Sequence, residues 1–332
     1  MKFSLRLNND LPVSTYIRLA QLAEAVGFDQ FWVSNDLFLR SAPVILSAVA
    51  TATSRIQIGS CIFNPYTLHP AEIAMFAATL DELSAGRFLL GIAAGAGEFL
   101  KWVGIEQKHP VGAMRETIFA INQLMQGETA NIQGEFIHWS QEAYLRFKPA
   151  RRVPIYVGAM SPKMLSLTGE IADGGLPLLL PPEHYETVLP YIQEGVTKAG
   201  RSLEDLDIAA CIWCSISEDR QAAEDMLREK VAYYGHAMSP LIWERLGLTR
   251  ADFDPIEQAS MVENDLEKAK RLVTPSMLNI GIVGTVEDLI PRLDRLRDAG
   301  VKHLSFGPPL GPNLDEAIKI IGEKILPRYQ TS

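Results

Sequence analysis

The 332 residues are 47% apolar and 21% charged, the composition of a globular chain long enough to bury a large core. Thirty-one basic against 40 acidic residues leave a formal charge of -9, which excludes general affinity for nucleic acid or an anionic membrane surface. No apolar run reaches bilayer length, the N-terminus lacks a signal-peptide plan, and three cysteines are too few for a disulfide framework, so a soluble cytoplasmic protein is expected.

Short β-branched or aromatic runs alternate with longer stretches of helical period, the pattern of a parallel sheet with crossover helices. A first strand over Phe3–Asn8 leads to a helix over Ser14–Val26, whose Ile17, Leu19, Ala20, Leu22, Ala23 and Val26 form one apolar stripe. Further strands read at Gln30–Ser34, Ile56–Ile62, Phe88–Ala93, Ile155–Gly158, Gly175–Leu180, Ile208–Ser215 and His303–Gly307. Helices read over Pro43–Thr53, Pro70–Leu83, Ala113–Met125, Lys163–Ala172, Tyr185–Ala199, Arg220–Tyr234, Glu287–Ala299 and Leu314–Leu326. Ser14, Ser161, Thr285 and Asn313 suit N-caps, and Gly27, Gly127, Gly200 and Gly300 suit helix ends.

Eight units in succession predict an α/β protein, a (β/α)8 TIM barrel forming one domain over residues 1–332; a doubly wound sheet is the alternative. Two segments exceed the repeat. The first, near 128–150, carries a hairpin over Asn131–Trp139 around Gln133-Gly134; the second, near 236–275, carries helical material over Met238–Leu272. Both are expected as insertions over the carboxyl-terminal mouth. Cys211 and Cys214 spell Cys-x-x-Cys, but on a strand positions three apart face opposite ways, so two packed thiols are expected. Leu46, Val49, Ile73, Phe76 and Leu80 belong to apolar helix faces that serve the core or join subunits.

In such barrels the site is built from loops following the strands. After the second strand, Asn35 and Asp36 read as site residues or as helix-start residues. The third strand ends Gly59-Ser60-Cys61-Ile62-Phe63-Asn64-Pro65-Tyr66, small residues that suit a bulge and a close ligand. His69 beyond it is an acid or base, or a helix-entry contact. The fourth strand runs into Gly91-Ile92-Ala93-Ala94-Gly95-Ala96-Gly97, which lacks dinucleotide-fingerprint spacing but leaves bare backbone for a flat ring. After the fifth, Gly158-Ala159-Met160-Ser161-Pro162-Lys163 is either an ordinary capped helix or a phosphate-binding helix start. Hydrolase, kinase and metal-site motifs are lacking and no metal is expected, so a cofactor is expected to carry the chemistry.

The residues resemble the luciferase-like oxidoreductases, and within them the deazaflavin-dependent methylenetetrahydromethanopterin reductases. The likeness runs from Met1 to about Glu323 through Asn64-Pro65-Tyr66, Leu80-Asp81-Glu82-Leu83-Ser84, Ile155-Tyr156-Val157-Gly158-Ala159 and Ala172-Asp173-Gly174. It implies a small organic substrate, coenzyme F420 as cofactor with FMN as the alternative, and a homodimer or higher homo-oligomer. By position, it implies a ring against a bulge at Ser60, Cys61 and Ile62 with a non-prolyl cis peptide at Cys61–Ile62, near Asn64 and the backbone of Ala94 and Gly95. The cofactor phosphate then falls by Gly158, Ala159, Met160 and Ser161. The family pattern differs at Arg6, where it has a carboxylate, at Asn35-Asp36, where it has Asp-His, and at Ala96, where it has an acid. Catalytic candidates are Asp36 or His69 for the proton, with Asn35 and with Arg6 pairing Asp36 or receiving an anionic substrate. The expected activity is hydride transfer; an FMN monooxygenase and a non-catalytic flavin-binding protein are the other readings.

Overall fold

The expected alternation runs the length of the computed structural model, which describes residues 1–330. In chain order the elements are β1 (Lys2–Leu7), α1 (Val13–Ala25), β2 (Gln30–Val33), α2 (Ala42–Ala52), β3 (Gln57–Ser60), α3 (Pro70–Leu83), β4 (Phe88–Ile92), α4 (Gly97–Lys101) and α5 (Pro110–Met125). The hairpin β5 (Ile132–Gln133) and β6 (His138–Trp139) precedes β7 (Ile155–Val157), α6 (Pro162–Ile171), β8 (Gly174–Gly175), β9 (Leu178–Leu179) and α7 (Tyr185–Lys198). Then come β10 (Asp207–Ile216), α8 (Arg220–Tyr234), α9 (Pro240–Arg245), α10 (Arg250–Glu257), α11 (Leu266–Leu272), β11 (Ile282–Gly284), α12 (Val286–Asp298), β12 (His303–Leu310) and α13 (Leu314–Ile320). The main sheet runs β11-β10-β12-β1-β2-β3-β4-β7-β8, and β8 pairs back to β10. That last pairing closes the ring, which makes the fold a (β/α)8 barrel and excludes an open doubly wound sheet.

The chain divides into two compact units, one of Ser4–Leu178 with Thr187–Ala209, the other of Met1–Phe3, Leu179–Glu186 and the chain from Ala210 onward. In the first, β1 to β4, β7 and β8 pair in parallel, and Leu46, Val49, Ile73 and Leu80 of α2 and α3 are buried in its core. Phe76 meets the rings of Phe63 and Phe88 at 5.3 and 5.9 Å, so these apolar faces serve packing. Arg151 grips the buried Asp81 carboxylate through Nε and Nη2 while Phe88 N also donates to it, tying α3 to β4. Close helix packing follows where side chains are missing. A Cβ on Gly195 would come 1.8 Å from Ser166 O, and one on Gly169 would come 2.1 Å from Ile192 O.

In the second unit, β11 pairs with Cys214–Ile216 of β10. This strand is absent from the sequence reading because its three residues, Ile282–Gly284, follow Gly281 and resemble a turn. The segment Met238–Leu272 forms three short helices around Trp243 and Phe253, whose rings stack at 5.7 Å. Cys211 and Cys214 form no disulfide and are buried, and burial pushes the Cys214 thiol up to about 12, so both are packed thiols. Thr285 and Asn313 cap their helices as expected. Gly27, Gly127, Gly200 and Gly300 all take positive φ, as helix ends require. Ser14 does not cap α1, which starts at Val13 behind Pro12. The sixth strand is broken into β8 and β9 by Leu176-Pro177, since Pro177 has no N–H for the ladder.

Candidate functional site

The site residues read from the sequence all lie in the first unit, and its strands explain how they come together. Ser4 and Arg6 of β1 are in register with Gln30 and Trp32 of β2, so these four side chains share one face. Trp32 meets Tyr156 of β7 edge-on at 5.1 Å although two strands separate them in the sheet, and Gln30 reaches Asp207 at 3.4 Å. Only the enclosed face of a curved sheet permits such meetings. Tyr156 donates to Asp207 at 2.8 Å, and Trp32 Nε1 donates to Gln30 Oε1 at 3.0 Å. Burial and then the adjacent Asp207 carboxylate hold Tyr156 far above its ordinary pKa, so the phenol stays a donor. These groups form a hydrogen-bonded floor. Gly59 is obligatory above it, because a Cβ there would lie 2.2 Å from the Trp32 ring.

One step further along, β3 bulges. Ile58 and Gly59 pair with Phe88 and Leu89, yet Phe63 bridges Ile92, so one extra residue enters the third strand between them. The Cys61–Ile62 peptide within this stretch is cis. Ser60 is fully buried, its Oγ donating to Gly91 O at 2.9 Å and accepting from Gly91 N at 3.1 Å. Its side chain therefore staples the bulge to β4, leaving backbone as what Ser60 offers a ligand. A Cβ on Gly91 would lie 1.9 Å from Ser60 O, and one on Gly158 would lie 3.1 Å from Ala93 Cβ and 3.2 Å from Ile62 Cγ2. The ends of β3, β4 and β7 thus converge as nearly bare main chain, with Ala93, Ala94 and Ala159 buried and Cys61 and Ile62 partly accessible. Such a cradle suits a planar ring.

The loop after β4 is fastened by a residue the sequence reading missed. Gln107 Nε2 donates to Ala94 O at 2.7 Å and to Gly95 O at 3.0 Å, and Tyr66 OH donates to Lys108 O. Asn64 accepts from Tyr66 N at 2.9 Å, and its Nδ2 lies where a Cβ on Gly95 would come within 2.1 Å. At α6, Ser161 stands at the N-cap without a side-chain cap hydrogen bond, beside exposed Met160 and Lys163 and with no acidic residue in the first turn. The sequence expectation of a capping serine is corrected, and the hydroxyl is uncommitted to the helix.

The candidate acid–base residues are dispersed. Asp36 is exposed, its N–H donating to Asn9 Oδ1 at 3.2 Å and its carbonyl accepting from Asn9 Nδ2 at 3.1 Å. Asn35 accepts from Ala42 N at 3.3 Å, so it helps start α2. Arg6 is buried on the enclosed face. His69 is exposed and caps α3, its Nδ1 accepting from Ala71 N at 3.3 Å, while its ring lies 5.7 Å from Trp139 of the hairpin. A groove of 410 Å³ beside it is lined by Met75, Leu124, His138, Trp139 and Tyr144 and includes none of the cradle residues. Asn9, two residues beyond β1, was detectable as one more polar residue at a strand's carboxyl end; Gln107 carried no sequence signal.

The family model described as luciferase-like monooxygenase matches residues 3–303. The chain belongs to the luciferase-like monooxygenase family. Among its relatives in this family, a 5,10-methylenetetrahydromethanopterin reductase of Archaeoglobus fulgidus is 33% identical over 99% of this chain and 100% of that protein. An F420-dependent glucose-6-phosphate dehydrogenase of Nakamurella multipartita is 31% identical over 94% of this chain and 91% of its own length. The solved structure of the coenzyme F420 dependent tetrahydromethanopterin reductase from Methanopyrus kandleri superposes with a TM-score of 0.92 at 29% identity, covering 99% of each chain. This luciferase-like chain thus shares its whole barrel with oxidoreductases.

Proposed function

We propose that the chain is an F420-dependent oxidoreductase acting as a single barrel domain on a small organic substrate. The observation that carries the reading is that full-length relatives with different substrates share F420 in their names, so the coenzyme is their common part. The bare cradle supports it: the backbone of Ser60, Cys61 and Ile62, with Asn64, Ala94 and Gly95, would hold the ring, and Gly158, Ala159, Met160 and Ser161 would receive the phosphate at the start of α6. When bound, the deazaflavin supplies two-electron hydride chemistry at its central ring, balanced by oxidation or reduction of a carbon of the substrate.

The chain's own residues supply the rest. Asp36 is assigned the proton, with His69 the second candidate, because Asp36 lies in the loop after β2 whereas His69 is engaged as a helix cap. Arg6, a buried cation on β1, directs the site towards anionic substrates or sets the charge of Asp36. Self-association is assigned to the exposed Val44, Met75 and Leu83 of α2 and α3, and size measurement in solution tests it.

The test is to mix the protein separately with F420 and with FMN, reading ligand fluorescence, and then oxygen uptake with each reduced form. Binding of F420 without oxygen uptake is expected. Preference for FMN with oxygen uptake favours a monooxygenase, and binding of F420 without turnover by any hydride donor favours a carrier.

A further inference from the structure

Gln107 is half-buried and lies twelve residues beyond Gly95, yet its one amide nitrogen takes two consecutive carbonyl oxygens, those of Ala94 and Gly95. The geometry of the peptide group gives this a consequence. In a trans peptide the C=O and N–H point in opposite directions, and neither the 94–95 nor the 95–96 bond is cis. With both carbonyls turned to Gln107, the N–H groups of Gly95 and Ala96 are turned together to the other side. Gly95 permits the turn with φ of +73. Neither N–H has a hydrogen-bond partner among the described residues. Two adjacent donors held in this way form a small concavity for a negatively charged oxygen.

Two features argue against an incidental arrangement. Parallel carbonyl dipoles repel each other, and Gln107, by donating to both, offsets that repulsion. Gly97 packs against the same residue, with a Cβ there reaching Gln107 Oε1 at 3.3 Å. The donors owe nothing to a helix dipole, since α4 is a little over one turn long.

We infer that Gln107 is a positioning residue that aims the Gly95 and Ala96 amides at an oxygen of the bound cofactor ring, preferentially stabilising its reduced, electron-rich form. This rests on the F420 reading given above. A hydride carries two electrons and one proton, so its acceptor gains one negative charge, and donors fixed beforehand favour the state in which that charge is present.

The test compares the wild type with Gln107→Glu and Gln107→Ala, measuring Kd for oxidised and for reduced F420 by calorimetry under anaerobic conditions, with thermal melting as a check of folding. Glu keeps the length but replaces the shared donor with an oxygen that repels both carbonyls. The expected result is a loss of about tenfold in preference for the reduced over the oxidised form in Gln107→Glu, and a smaller loss in Gln107→Ala, from one or two charge-assisted hydrogen bonds. A wild type that binds both forms while neither variant changes the ratio overturns the inference alone. A wild type that binds neither form overturns the F420 reading, and the inference with it.

Discussion

Gly95→Ala should weaken F420 binding far more than it weakens the fold. Gly95 has φ of +73, and an alanine held there costs about 1–2 kcal/mol because its Cβ crowds the following carbonyl. The new Cβ would also lie 2.1 Å from Asn64 Nδ2, and Asn64 is not free to swing because its Oδ1 accepts from Tyr66 N. Either the loop stays strained or it relaxes and must be pulled back on binding; the second course raises Kd by about five- to thirtyfold for 1–2 kcal/mol. Unfolding entropy of about 2.1 cal/mol/K per residue gives about 0.7 kcal/mol/K for a chain of this length, so 2 kcal/mol lowers Tm by only about 3 °C. Gly127→Ala is the control, with φ of +79 and no atom within 4 Å of the new Cβ. It should show a similar Tm shift with unchanged Kd. The assay is fluorescence titration with F420 alongside thermal melting. Equal losses of affinity in both variants, or wild-type affinity in Gly95→Ala, would refute the reasoning.

Ser60→Ala should destabilise the protein by about 1–3 kcal/mol, since Gly91 N and O lose a buried partner; denaturant unfolding measures it, and an unchanged midpoint would contradict the staple. Asp81→Asn should cost about 2–3 kcal/mol, below the full value for a buried pair because Arg151 is 37% exposed, and a melt reads it. Glu116 accepts from the amides of Glu135, Phe136 and Ile137; burial raises its pKa, but these bonds outweigh burial and hold it below the ordinary glutamate value. A depressed folded pKa contributes stability above the unfolded value that disappears as pH falls through the folded one. Protection factors of the amides at 135–137, taken relative to the intrinsic exchange rate at each pH, should therefore fall in acid, and Glu116→Gln should remove that pH dependence. His69→Asn keeps a capping side chain, so it should leave stability and the pH profile of turnover nearly unchanged; a lost basic or acidic limb would transfer the proton role from Asp36 to His69.

The barrel was legible because its signals are local. Pro70–Leu83 and Arg220–Tyr234 carry complete helical periods bounded by capping residues, and their ends agree with the sequence reading to the residue. The bulge was legible because Gly59-Ser60-Cys61 cannot be a uniform strand with side chains packed on both faces. What escaped depends on long-range pairing. Gln107 means nothing until the chain folds back on Ala94, the floor of Gln30, Tyr156 and Asp207 joins strands far apart in sequence, and β11 exists only because the end of β10 needs a neighbour. Ser161 and His69 were both correctly placed at helix starts, but their capping was exchanged: the histidine caps and the serine does not.

The central claim is that a deazaflavin ring lies on the bare main chain between Cys61–Ile62 and Ala94–Gly95. A crystal structure of the protein grown with F420 tests it most directly. The account predicts ring density against those four residues with the phosphate at the Ser161 end of α6. Coenzyme density in the groove beside His69 instead, with the cradle filled only by solvent, would contradict it.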